Sequence, residues 1–102
     1  MSSLINKGTG IAISATTASA NTNAGPAVNT WQFVNTTANA AAVNLFTTNS
    51  NVTMTNGIVI AAGASQTVTG DFGMAYGGNV WVTAILAAGS GTVYATPVAS
   101  SN

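Results

Sequence analysis

Lys7 and Asp71 are the only charged side chains among 102 residues, and the chain has no His and no Cys. General acid-base catalysis draws on a His or on a carboxylate tuned by a partner, and a single carboxylate has nothing to be tuned against. Ser and Thr hydroxyls are weak nucleophiles without a positioned base, and the one candidate base is Lys7, in a Ser-Lys dyad. Zinc asks for a full set of Cys, His or carboxylate ligands and calcium for several oxygen anions, so Asp71 alone makes no metal site. Binding to phosphate backbones rests on Lys and Arg, which argues against nucleic acid. The reading is a non-enzymatic chain with no catalytic, cofactor or metal residues and no small-molecule substrate. Nothing in the sequence brings Lys7 and Asp71 together, and an exposed pair would contribute only about 0–1 kcal/mol, so both read as solvated or interfacial side chains.

The elements that carry these residues must be held without disulfides, by burial and backbone pairing. Hydrophobic residues make up 47% of the chain and the net charge is zero, whereas disorder goes with low hydrophobicity and high net charge. Ala, Thr, Asn and Gly fill more than half of the sequence. Gly, Asn and the β-branched residues are poor helix formers, and apolar positions alternate by two between Gly and Asn clusters. Strands are expected near residues 10–17, 30–36, 42–48, 52–55, 58–62, 65–69, 71–76, 79–87 and 92–98. This spacing predicts an all-β fold, a single antiparallel β-sandwich of the jelly-roll or Ig-like kind with about 7–9 short strands. Residues 1–9 read as an N-terminal arm and 10–102 as the sandwich domain.

Turn chemistry suggests where strands pair. Asn56-Gly57 fits a two-residue type I′ turn, which needs positive φ at both positions; it would set Met54 opposite Val59 and Val52 opposite Ala61. Gly77-Gly78 would fold residues 72–76 onto 79–87, and Gly89-Ser90-Gly91 would fold that strand onto 92–98. In residues 80–86, Trp81, Thr83 and Ile85 lie on one side and Val80, Val82, Ala84 and Leu86 on the other. An ordinary antiparallel sheet has one dry and one polar face, but neither side here carries charge. Edges normally defended by Lys, Pro or bulges are undefended along most of the chain, which points to edges covered in an assembly.

The candidate core is Trp31, Phe33, Val43, Leu45, Val52, Met54, Val59, Val82 and Tyr94, and the candidate assembly interface is Leu4, Ile5, Ile58, Ile60 and Trp81. An aromatic sugar platform is a second reading of the large side chains; its orienting groups would be amides and hydroxyls. The Thr53/Thr55 and Thr67/Thr69 pairs lack the fixed repeat of an ice-ordering ladder. Asn35-Thr36-Thr37 and Asn51-Val52-Thr53 match the glycosylation acceptor, as chance matches in so Asn- and Thr-rich a chain. Asn, Thr, Ser and Gly interrupt every apolar run short of the roughly 20 residues of a spanning helix, so no membrane role is expected. Residues 10–20 are too rich in Thr and Ser for a signal-peptide core, so synthesis in the cytoplasm is expected.

In its size of 10.0 kDa, its Ala/Thr/Asn-rich β domain and its strand entry at Ala62-Gly63-Ala64-Ser65-Gln66-Thr67-Val68-Thr69, the chain resembles small bacteriophage virion proteins. Among these it is most similar to capsid decoration, or cement, proteins. The resemblance implies a β-sandwich that binds a shell in many copies and stabilises it without catalysis. Its partners would be its own copies and a major capsid protein, and its location the virion, after synthesis in the host cytoplasm. The alternatives are a tail, fibre or other minor virion protein, an extracellular β-filament subunit, or a sugar-binding module.

Overall fold

In the computed structural model, which describes residues 4–6, 9–26, 30–70 and 79–100, every regular element is a strand. The strands are β1 (Leu4–Asn6), β2 (Ile11–Ala15), β3 (Ala20–Pro26), β4 (Thr30–Asn35), β5 (Ala41–Phe46), β6 (Ile58–Ile60), β7 (Ser65–Thr69), β8 (Asn79–Leu86) and β9 (Gly91–Ser100). Lys7, Asp71, the strand expected at 71–76 and the Gly77-Gly78 turn lie outside the described residues.

Two antiparallel sheets form the sandwich. One runs β2-β9-β4-β7, with β1 continuing the β2 edge along β9; the other runs β3-β8-β5-β6. The pairs are nested: β5 with β6, β4 with β7, β3 with β8 and β2 with β9. A long hairpin doubled on itself and rolled gives this order, which is that of a jelly roll. Of the two arrangements the sequence left open, this is the one the strands adopt.

Alternation places the core. In β4 the burial alternates residue by residue, with Trp31, Phe33 and Asn35 turned inward. Trp31 and Phe33 share one core with Ile13, Ala15, Val68, Val93 and Ala95 from their own sheet and Ala41, Val43, Leu45, Ile60, Val80, Val82, Ala84 and Leu86 from the other. Each fully buried Val, Leu, Ile or Phe contributes about 1.5–3 kcal/mol over its exposed state, so this layer holds the sandwich together. Among the described residues no buried side-chain polar atom lacks a partner.

Three pairings differ from the sequence reading. Residues 52–55 form no strand. Instead the Gly57 N–H donates to the Thr53 carbonyl at 3.1 Å, the Thr53 N–H to Asn56 Oδ1 at 2.7 Å and the Asn56 N–H to Thr53 Oγ1 at 3.1 Å. These short side chains satisfy the backbone locally and outcompete a ladder. Positive φ occurs at Gly63 (75°) and Gly89 (73°), not at Gly57, so no type I′ turn forms and β6 pairs with β5, Val59 opposite Ala42. Second, Gly89-Ser90-Gly91 makes no hairpin, because β8 and β9 belong to different sheets and the turn carries the chain from one to the other. Third, β3 and β1 were not expected as strands. β3 is rich in turn-forming Asn, Gly and Pro, and tertiary pairing to β8 overrides that propensity. Part of the expected N-terminal arm is β1, an edge strand on β9.

Candidate functional site

The inner faces of the two sheets form the core, and among the described residues the two outer faces and the edges are the candidate surfaces. Register and alternation assign the outer face of the β3-β8-β5-β6 sheet to Asn21, Asn23, Ala42, Asn44, Phe46, Val59, Trp81, Thr83 and Ile85. Much of it is roofed by the connection from β5 to β6, residues 47–57. Asn21 Nδ2 donates to Asn49 Oδ1 and to Asn51 Oδ1, each at 2.9 Å, and Asn44 Nδ2 donates to the Asn56 carbonyl at 3.0 Å. The Val52 N–H donates to Ser19 Oγ at 2.9 Å. A Cβ on Gly57 would stand 2.6 Å from Val52 Cγ2 and 2.9 Å from Ala42 Cβ, so the connection packs directly on the sheet. Beneath it Ala42 and Thr83 are buried, as is Val52 of the connection itself, and Thr83 Oγ1 donates to the Asn44 carbonyl at 3.0 Å.

Among the described residues no segment covers the outer face of the other sheet. Its cross-strand rows are Ser14-Thr92, Ala12-Tyr94-Val34-Ser65, Thr96-Gln32-Thr67 and Thr30-Thr69, and none of these residues is buried. Tyr94, 47% exposed, stands between Ala12 and Val34, with the Thr92-Ser14 and Thr96-Gln32 rows on either side of it. The Thr30 and Thr69 hydroxyls are 3.2 Å apart. Such a face offers hydrogen-bond donors and acceptors and one aromatic ring to a neutral partner.

At the join between the layers, Asn35 is buried and fully engaged. Its Nδ2 donates to the carbonyls of Asn39 (2.8 Å), Ile60 (3.1 Å) and Ala61 (3.3 Å). Its Oδ1 accepts from the Thr37 N–H at 3.0 Å and the Thr37 hydroxyl at 2.7 Å. The amide of this acceptor-like sequence is thus part of the structure, binding the end of β4 to the turn between β6 and β7.

Of the expected core, Trp31, Phe33, Val43, Leu45, Val52 and Val82 are buried. Met54 is half-buried in the turn. Val59, 55% exposed, and Tyr94 lie on the surface instead: once β6 pairs with β5, Val59 points away from the core, and Tyr94 takes the outward parity of β9. Of the expected interface, Ile60 is buried in the core, facing Ala41, and so offers no outer contact. Ile58 is 40% exposed, and Trp81 is half-buried beside Asn23 and Phe46. Leu4 and Ile5 lie in β1, opposite Ser100 and Ala99. The structure therefore gathers no single cluster from the interface set. Sequence reasoning missed the Asn21 and Asn44 contacts with the roof, for which no local signal exists.

No protein-family model, no curated protein and no solved structure matches this chain.

Proposed function

We propose that this chain is a non-enzymatic structural protein of a virus particle, a capsid decoration or cement protein that binds the shell in many copies and stabilises it. One observation carries the reading: among the described residues the whole jelly roll, bare face and edges included, presents no charged side chain. A freely diffusing monomer normally relies on surface charge to stay dispersed. A protein seated among copies and on a shell can instead use hydrogen bonds and apolar contact. Jelly rolls also serve in lectins, and fold alone assigns no function. The exposed Tyr94, on a face whose next row is Thr96-Gln32-Thr67, supports a second reading, a module for neutral glycans.

Immunogold electron microscopy of the native source separates these readings. A decoration protein labels the shell in many copies, a tail or fibre protein labels one structure at low copy number, and a filament subunit labels fibres outside the cell. Absence of label from particles, together with glycan binding by the isolated domain, would replace the virion reading with the second.

A further inference from the structure

β6 is the outermost strand of its sheet, paired to β5 on one side and to no strand among the described residues on the other. It carries two of the three large hydrophobic residues described as exposed, Ile58 and Val59. The other edges are guarded or polar. β3 shifts register between Asn23 and Pro26. Along the β1-β2 edge the register against β9 differs by two residues between Asn6, opposite Val98, and Ile11, opposite Ala95. β7 presents Ser65, Gln66, Thr67 and Thr69. β6 has no charge, proline or bulge, the devices that keep edges from pairing.

We infer that β6 pairs antiparallel with β6 of a second copy of this chain, across a two-fold axis at Val59. The strand itself selects that partner. Ile58-Val59-Ile60 reads the same in both directions, so antiparallel pairing sets Val59 against Val59 of the second copy and Ile58 against its Ile60. The ladder extends backbone pairing across both edges, and the two four-stranded sheets become one. Each exposed Val59 is covered by the other. No charge among the described residues opposes the approach. A three-residue ladder falls short of the roughly 1,000 Å² of a persistent interface, so the pair is reversible and fills at high local concentration. The inference does not rest on the virion reading, since two copies can pair in solution without a shell.

The chain has no Cys, so Val59→Cys introduces its sole thiol at an exposed position on the axis. Directly opposed strand residues have Cβ atoms about 4.5–5.5 Å apart, close enough for a disulfide to form with small adjustment. The control is Thr67→Cys, the centre of the rival edge β7. Under mild oxidation Val59→Cys is expected to give covalent dimer roughly tenfold faster than Thr67→Cys, the gain expected when geometry holds the groups together. Equal rates, or no dimer from Val59→Cys, would overturn the inference. Sedimentation equilibrium of the unmodified chain provides the second test. Concentration-dependent dimer that Val59→Lys abolishes, with unchanged thermal stability, supports β6 pairing; dimer that survives Val59→Lys, or monomer alone at every concentration, refutes it.

Discussion

Residues 47–57 roof much of the outer face of the β3-β8-β5-β6 sheet and leave Val59 exposed at its β6 edge, whereas that of the β2-β9-β4-β7 sheet lies open among the described residues, and neither carries a charge among them. The roofed face holds Ala42, Thr83, Phe46, Trp81 and Ile85 with amides at its margin, and the chain spends a long connection on covering it. The open face holds Ala12 and Val34 beside Tyr94 and is otherwise Thr, Ser and Gln, which water satisfies as readily as protein does. Missing charge thus has two meanings in one molecule. On one side it permits burial by the chain's own loop; on the other it leaves a neutral surface for something else.

Substitutions can break that contrast. A lysine in place of Thr83, under the roof, would bury an unpaired charge, and we expect a loss of about 4 kcal/mol or more, enough to unfold a marginal domain. Soluble yield and circular dichroism would show it. Asn35→Ala, which strips the join between the layers of its amide, takes from the Thr37 N–H its acceptor and from the Asn39, Ile60 and Ala61 carbonyls a donor, and should cost about 3 kcal/mol in denaturant unfolding. Gly57→Val drives a side chain into Val52 and Ala42. An overpacked site of this kind loses about 1–3 kcal/mol, and the roof should lift, read as faster amide exchange at Ala42 and Val52. Thr67→Lys, on the open face, should change stability by no more than about 0.5 kcal/mol. Equal losses from Thr83→Lys and Thr67→Lys would erase the distinction between the faces.

The sequence made one side of this comparison readable and hid the other. The inward parity of Trp31 and Phe33, and of Val80, Val82, Ala84 and Leu86, follows from alternation, which is why the sandwich was legible. Asn56-Gly57 misled because a hairpin and a side-chain-closed turn share the same two residues. Only the reach of Thr53 Oγ1 and Asn56 Oδ1 to the backbone decides between them, and that is set in three dimensions. The error moved β6 to the wrong partner and sent Val59 into the expected core. The roof was illegible for a related reason: Asn21 meets Asn49 and Asn51 across some 30 residues, with nothing local to either to announce it. The residues of the candidate surfaces were therefore visible as types, while their exposure was not.

The most direct test of the virion reading is the response of bound protein to salt. Charge-based contacts are screened within about 3 Å at 1 M ionic strength, whereas burial and amide hydrogen bonds are not weakened in that way. Particles purified from the source would be washed at low salt and at about 1 M NaCl, and the copies of this chain per particle counted by quantitative mass spectrometry. The account predicts the same high copy number after both washes; release of most copies by the high-salt wash would contradict it.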